Sequence, residues 1–281
     1  MLWQRVVTAL GLLLVLLPAL FYPSAVPFAA LAMVFIAAGA WEWARLVGYG
    51  ARSSLGGGLA CGLACALAWF GGLLSQSLWW LWFIAAWGWV LGGAWLLHGG
   101  VGAWSALPRA LRMTIGFVVL ISAWLAVAQA HFVGVNFLLS ILALVWAADI
   151  FAYFAGRAWG TRVVKRKLAP GISPGKSWEG VWGGMAGVLV LAVVWSWADG
   201  YFQVAVPSLF SRLFASHGWI ALVALAGLAG MSVVGDLIES LVKRSAGAKD
   251  SSALLPGHGG VLDRIDALLP ALPMAMMLVS L

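Results

Sequence analysis

Residues 135–155 read VNFLLSILALVWAADIFAYFA, an apolar run that contains one carboxylate, Asp149. A transmembrane helix needs about 20 predominantly apolar residues, so this run predicts a membrane-spanning helix. The rest of the chain has the same character, since 64% of its 281 residues are hydrophobic and only 9% are charged. Soluble domains carry about 25% charged residues. The composition therefore excludes an ordinary soluble globular protein.

Eight further apolar runs of similar length flank this one. The fold class that we predict is all-α, a polytopic transmembrane helical bundle of about nine spans. We expect an N-terminal transmembrane region (1–130) with five spans and a C-terminal region (131–281) with four spans, cytoplasmic loops and the chemistry. The expected spans lie near 6–22, 25–41, 55–74, 78–97, 113–130, 135–155, 178–198, 218–240 and 261–280.

The basic residues predict the orientation of these spans, because Lys and Arg favour cytoplasmic loops. With a cytoplasmic N-terminus, nine spans place every one of the 16 basic residues except Arg212 on the cytoplasmic side. We therefore expect the N-terminus inside and the C-terminus outside. The net charge of +7 then reflects topology and contact with anionic lipid or phosphate, with no nucleic acid as a partner.

Small residues spaced by four predict close approach of helices. Gly58 and Gly62 form one such pair. The chain has the same spacing at Gly88 and Gly92 and at Gly183 and Gly187.

The acidic residues are concentrated in the second half of the chain. Of the nine, only Glu42 precedes Asp149. We expect Glu42 to form an interfacial pair with Arg45, and Asp199 to lie in an outer loop. Most of the others fall at the expected cytoplasmic ends of the last four spans. Charged groups in apolar segments are costly, so this concentration is a functional hypothesis.

Two carboxylate pairs have the i, i+3 spacing that places both members on one helix face. They are Asp236 with Glu239 and Asp263 with Asp266. Magnesium binds carboxylates together with substrate phosphates, and nearby basic groups can bind phosphate oxygens. The combination favours phosphoryl or nucleotidyl transfer on a lipid phosphate. The basic residues in question are Lys243, Arg244, Lys249 and Arg264.

The segment 171–177, GISPGKS, precedes the seventh span. It is not a P-loop, because three residues separate its glycines where that motif has four. Its Lys176 and its position at a helix N-terminus still favour phosphate binding. The nearby run Lys165-Arg166-Lys167 is also explained as a topology signal on the lipid surface.

Residues 240–266 carry the most specific pattern. It reads Ser240-x-x-Lys243-Arg244, then Lys249-Asp250, then His258-Gly259-Gly260-x-x-Asp263-Arg264-x-Asp266. This pattern resembles the signature of the phosphatidate cytidylyltransferases, also called CDP-diacylglycerol synthases. The segments 235–240 and 173–180 resemble that family too, so the resemblance covers about the last 140 residues firmly.

The resemblance implies that CTP reacts with phosphatidic acid to give CDP-diacylglycerol and pyrophosphate, with Mg²⁺ as cofactor. It also implies a multi-pass protein of the bacterial cytoplasmic (inner) membrane, with the site facing the cytoplasm, and a homodimer. The expected metal ligands are Asp236, Asp263, Asp250 and Asp266. The expected catalytic residues are Asp236, Asp263, Lys249, Asp250 and Arg264. The expected substrate-binding residues are Ser173, Lys176, Ser177, Ser240, Lys243, Arg244, His258, Gly259 and Gly260.

Three other interpretations of the residues remain open at this point. The carboxylates and basic groups could be intramembrane ion pairs that only hold helices together. They could belong to an ion-coupled transporter or to another non-catalytic protein that binds or transports lipid, although transporters often show repeated halves and midplane charges. The chain could also be a transferase that uses CTP or a prenyl diphosphate with another lipid acceptor. Product formation and the identity of the acceptor separate these possibilities.

Overall fold

The computed structural model describes residues 2–280 of the chain, and within them the regular structure is helical. Eleven α-helices follow one another in that part of the chain. They are α1 (Leu2–Phe21), α2 (Val26–Val47), α3 (Ala51–Phe70), α4 (Trp79–Ala106), α5 (Arg109–Val133), α6 (Val135–Trp159), α7 (Trp178–Tyr201), α8 (Leu209–His217), α9 (Ile220–Ser245), α10 (Leu262–Ile265) and α11 (Leu268–Leu278). The expectation of an all-α, polytopic bundle is confirmed.

Among the described residues, eight helices, α1 to α7 and α9, are long and apolar enough to cross a membrane. The ninth expected span, 261–280, is instead divided into α10 and α11. Pro270 removes one hydrogen bond here, since it has no N–H to donate to the carbonyl of Asp266. Asp266 and Ala267 keep right-handed helical dihedral angles, so the backbone continues from α10 into α11 without a break. Neither piece reaches the length of a span by itself, and the orientation of the termini stays a prediction.

Glycines at helix contacts set how closely the helices approach. A Cβ on Gly183 or Gly187 of α7 would overlap Ala155 or Phe151 of α6, so these helices touch through their glycines. Gly58 of α3 lies equally close to α2, as expected.

The expectation was wrong for the third glycine pair, Gly88 and Gly92 on α4. A Cβ added to either would meet no atom within 4 Å. These two glycines therefore line open space instead of a helix contact.

Helix α9 lies at the centre of the bundle, packed against α4, α7 and α11. The start of α1 reaches the segment that precedes α10, because Thr8 Oγ1 donates to the Pro256 carbonyl at 3.0 Å. The N-terminus and that segment thus lie on the same side of the bundle.

At the other side, the expectation for Asp199 was wrong. It lies in the last turn of α7, is 7% exposed, and accepts hydrogen bonds from Asn136, Ser208 and Ser211. These bonds tie the end of α7 to the starts of α6 and α8.

Candidate functional site

The face of α9 nearest its C-terminal end carries the first part of the site. Asp236 pairs with Lys176 at 2.5 Å and also accepts from the Ser240 hydroxyl, one turn on, at 3.3 Å. Both side chains of the ion pair are partly exposed. This pair connects α9 to the segment before α7. The sequence predicted site residues in both of these regions.

Asp236 and Lys176 open onto a cavity of about 430 Å³, here called the α6–α7 cavity. Asp149 lines it from α6, and the charges of Asp236 and Lys176 both act on that carboxylate. Arg157 and Tyr153 also line it, and the Arg157 guanidinium donates a hydrogen bond to the Tyr153 hydroxyl at 3.1 Å. Arg157 and Tyr153 are not among the site residues expected from the sequence, although both follow Asp149 at helical spacing on α6.

The segment 160–177, here called the basic loop, presents Lys176 to this cavity. Buried Glu179 accepts hydrogen bonds from the amides of Val163 and Val164 at 2.9 and 2.8 Å. Ser177 caps α7 by accepting from the Gly180 amide at 3.2 Å. The N-terminus of α7 thus faces the cavity, where its free amides favour an anion.

Asp263 forms the second part of the site, and its carboxylate accepts hydrogen bonds from three residues. Oδ2 accepts from the amide and hydroxyl of Ser251 at 2.9 and 2.8 Å and from the Gly260 amide at 2.7 Å. Oδ1 accepts from Lys243 at 2.6 Å. Oδ2 is therefore fully used, whereas Oδ1 has one donor and keeps a second lone pair. The Asp263 side chain is 7% exposed, which limits access to that oxygen.

Asp263 lies in α10, outside the eight spanning helices. Its burial opposes ionisation, but the hydrogen bonds from Lys243, Gly260 and Ser251 outweigh that effect. They hold the pKa of the Asp263 carboxyl below its usual value. The group is thus kept as an anion.

Lys243 joins two carboxylates from different helices. Its ammonium lies 2.5 Å from Glu239 on its own helix and 2.6 Å from Asp263 of α10. Glu239 is only 2% exposed, and a buried charge needs such a partner. Lys243 therefore fixes α10 against α9, next to Asp236.

Glu42 is the site residue that the sequence analysis misjudged. The expected pair with Arg45 is wrong, because the Arg45 guanidinium lies over the Trp41 ring at 5.0 Å. Glu42 is instead completely buried and accepts four hydrogen bonds. The donors are the hydroxyls of Ser251 and Ser252, at 3.1 and 2.6 Å, and the amides of Val261 and Leu262, at 2.9 and 2.8 Å. The Ser251 hydroxyl has one proton, which Glu42 and Asp263 share.

These contacts fix the segment 246–261, here called the signature loop. A side chain at Gly260 would overlap Ser251 and Glu42, so only glycine fits there. Gly259 has a φ of +84° and lies between Asp250 and Asp263. No pattern near Glu42 indicated this role, since its partners lie more than 200 residues along the chain.

The remaining predicted residues surround the signature loop without entering this network. Arg264 donates to the His258 carbonyl at 3.0 and 2.5 Å, and Arg244 donates to the Ala248 carbonyl at 3.2 Å. Both arginines therefore brace the loop and keep further N–H donors. Lys249 and Asp250 are exposed at its surface.

The expected metal ligands are only partly brought together. Within residues 2–280, no three His, Cys, Asp or Glu side chains form a ready metal cluster. Asp236 and Asp266 are neighbours, because Gly235 touches the Asp266 backbone and the two carboxylates interact electrostatically. Asp236 is partly exposed and opens to the cavity, whereas the Asp263 side chain is only 7% exposed and its Oδ2 is fully occupied. A carboxylate such as Asp236 is of the type that binds a hard cation, and its present partner is the Lys176 ammonium.

The fold and the site together define a polytopic membrane protein with a centre of carboxylates and basic side chains at one end of α9. Comparison with known proteins makes this more specific. A family model described as "Cytidylyltransferase family" matches residues 3–281. The chain belongs to the cytidylyltransferase family, and the resemblance predicted from the signature is confirmed.

Curated relatives extend the similarity beyond the last 140 residues. A phosphatidate cytidylyltransferase of Pseudomonas aeruginosa is 38% identical over 283 residues, covering 97% of this chain and 95% of the relative. A protein of the same name from Haemophilus influenzae is 49% identical over 140 residues, covering 50% of this chain and 44% of its own. One from Bacillus subtilis is 33% identical over 175 residues, covering 59% of each.

Proposed function

We propose that this chain is an integral membrane nucleotidyltransferase that converts CTP and phosphatidic acid to CDP-diacylglycerol and pyrophosphate. The observation that carries the proposal is the Lys176–Asp236 pair at the α6–α7 cavity. Lys176 supplies a cation that can bind phosphate, and Asp236 supplies a carboxylate that can bind a metal. The pair joins the two segments that resemble the family, 173–180 and 235–240. The names of the full-length relatives support the same substrates.

The cavity supplies binding groups for a polyphosphate. Lys176, the N-terminus of α7 and Arg157 line one wall, and each favours phosphate oxygens. Held there, the α-phosphorus of CTP is attacked by an oxygen of the phosphatidate phosphate. A new P–O bond forms as the bond from the α-phosphorus to the pyrophosphate oxygen breaks. The attacking phosphate is already ionised near neutral pH, so no general base is required.

Mg²⁺ fits this site as a cofactor, with Asp236 and Asp266 as the carboxylates that would hold it. When bound, it would neutralise triphosphate charge and stabilise the departing pyrophosphate. Lys176 must then leave Asp236 and turn its ammonium to a phosphate. Asp263 acts differently, because its hydrogen bonds position the signature loop and Lys243.

The proposed location is the bacterial cytoplasmic membrane, with the site on the cytoplasmic side. The bacterial relatives, the apolar helices and the distribution of basic residues support it. CTP is a cytoplasmic nucleotide, so the α6–α7 cavity must open to that compartment. Labelling of single cysteines placed in the basic loop, from either side of sealed vesicles, tests this orientation.

Turnover of purified protein in detergent tests the function. The assay contains phosphatidic acid, Mg²⁺ and CTP radiolabelled on either its α- or its γ-phosphate. We expect label in the lipid only from the α position, with the γ label released as pyrophosphate. Label entering lipid from the γ position would mean phosphoryl transfer instead. No lipid label from folded protein would refute the proposed reaction.

A further inference from the structure

The first helix, α1, contributes little to the packed interior of the bundle. Among its described side chains only Leu20 is buried, and apolar side chains such as Trp3, Leu10 and Leu14 are more than half exposed. In a protein surrounded by lipid, side chains exposed in this way face hydrocarbon. α1 is therefore mainly a lipid-facing helix, so its few polar contacts matter for its placement.

Two hydrogen bonds fix α1 against the rest of the bundle. Near its C-terminal end, the Leu20 carbonyl accepts from His131 Nε2 of α5 at 2.8 Å. The other contact lies about 18 Å back along the helix axis, where the Thr8 hydroxyl donates to the Pro256 carbonyl at 3.0 Å. This second contact joins α1 to the signature loop.

The Thr8 hydroxyl thus bonds outside its own helix. A threonine hydroxyl that stays within its helix donates to the carbonyl four residues earlier, as Thr114 does to Ala110 at 3.1 Å. Thr8 instead donates to a residue 248 positions away in the chain. Its hydrogen bond therefore stabilises the signature loop and adds nothing within α1.

The signature loop makes a tight turn at this contact. The His258 amide donates to the Leu255 carbonyl at 2.8 Å, so Pro256 and Gly257 occupy the central positions of the turn. Gly257 has a φ of +76°, and proline followed by such a glycine is typical of a type II turn. Types I and II differ in the orientation of the central peptide group, whose oxygen here belongs to Pro256. The bond from Thr8 therefore fixes the orientation that places His258.

Arg5, one turn before Thr8, packs directly on the same turn. A Cβ on Gly257 would lie 2.8 Å from Arg5 Cγ, so the helix and the turn touch where only glycine fits. From α10, Arg264 donates to the His258 carbonyl at 3.0 Å. The turn is thus held by two helices, α1 and α10.

We propose that Thr8 and Arg5 are positioning residues for nucleotidyl transfer, which act through the turn 255–258 on His258. The proposal rests on the transferase function for the reaction that is measured. Among residues 2–280, none from the signature loop lines the α6–α7 cavity, which is assigned to CTP. A displaced turn should therefore slow turnover more than it weakens CTP binding.

Steady-state kinetics of Thr8 variants of the full chain test the positioning role. Thr8→Val keeps the shape of the side chain without the donor. We expect kcat to fall about fivefold, the effect of one hydrogen bond, with the KM for CTP and the Tm as in the wild type. Thr8→Ser keeps the donor and should restore kcat, and Thr114→Val, the matched control, should leave it unchanged. A wild-type kcat in Thr8→Val, or a lower Tm with unchanged kcat per folded molecule, would overturn the proposal.

A double-mutant cycle tests the contact between Arg5 and the turn. Gly257→Ala introduces a Cβ that overlaps the Arg5 stem, and Arg5→Ala removes the overlapping Cγ. We expect the loss of kcat caused by Gly257→Ala to be at least about threefold smaller in the Arg5→Ala background than in the wild type. Equal losses in both backgrounds would mean that α1 does not act on the turn.

Hydrogen exchange in nanodiscs tests the same contact without turnover. The His258 amide should exchange faster in Thr8→Val than in the wild type or in Thr114→Val, because the turn is less firmly held. That result supports the positioning of the turn by α1 even if no CDP-diacylglycerol forms, in which case only the proposed reaction fails. Unchanged exchange at His258, in protein that turns over, overturns the role of α1 alone.

Discussion

The basic loop and the signature loop are each held by one buried glutamate, but the two glutamates lie at very different distances along the chain from the loops that they hold. Glu179 lies within 16 residues of the amides that it binds, whereas Glu42 binds amides about 220 residues away. The basic loop is therefore a local structure at the start of α7. The signature loop instead requires α2, from the N-terminal region, to be in place.

The two loops also present their aspartate partners differently. Asp236, next to the basic loop, keeps oxygen positions open to the α6–α7 cavity. Asp263, next to the signature loop, is nearly buried and is held by Lys243, Ser251 and Gly260. One carboxylate is available to a ligand and the other is structural support, although both belong to similar i, i+3 pairs in the sequence.

The largest expected effect distinguishes these two aspartates. Asp236→Asn removes the charge that faces the cavity and should lower kcat/KM at least about 100-fold. Asp263→Asn should lower activity too, but it also weakens the signature loop. Hydrogen exchange of the Ser251 and Gly260 amides checks this, since it should accelerate only in Asp263→Asn. Equal exchange in both variants would contradict the division of roles.

The next effect concerns Glu42. Glu42→Gln replaces one acceptor oxygen by a donor that faces other donors, so we expect kcat to fall about 10- to 100-fold with faster exchange in the signature loop. Arg45→Ala is the matched control, because Arg45 does not contact Glu42, and its activity should stay within about twofold of the wild type. A larger loss of activity in Arg45→Ala than in Glu42→Gln would instead favour the Glu42–Arg45 pair that was expected from the sequence.

A smaller effect is expected for the basic loop. Lys176→Ala removes a charge-assisted contact and should raise the KM for CTP about tenfold. Lys165→Ala, in the same loop but exposed, should change it less than about twofold. If the two variants behave alike, the loop acts only through its overall charge.

The smallest effect is expected for Glu179. Glu179→Ala loses both bonds to the basic loop and should reduce turnover a few-fold, since the Ser177 cap still holds Lys176 near the cavity. Glu179→Gln keeps an oxygen for both amides and should be close to the wild type. The comparison of these two variants in the CTP assay shows whether the charge or the hydrogen bonds matter.

Much of the fold follows from the sequence, because span length and apolar composition report directly on the bilayer. Where the structure departs from expectation, the cause is specific. Pro270 removes one hydrogen bond within the last expected span, and Gly88 and Gly92 line open space, which spacing alone does not distinguish from a helix contact.

The site was predictable where its residues lie close together in the chain, as Asp236, Lys243 and Asp263 do. Glu42 could not be assigned, because its four donors come from the other end of the chain. Nor does spacing reveal that Lys243 and Ser251 donate to the oxygens of Asp263. These are properties of tertiary packing.

The most direct test of the account is the formation of CDP-diacylglycerol from radiolabelled CTP and phosphatidic acid, measured across a Mg²⁺ titration for the wild type and Asp236→Asn. The account predicts lipid label that depends on Mg²⁺ in the wild type, disappears in excess EDTA, and is at least about 100-fold weaker in folded Asp236→Asn. Full turnover by Asp236→Asn, or by the wild type in EDTA, would contradict a cation site at Asp236.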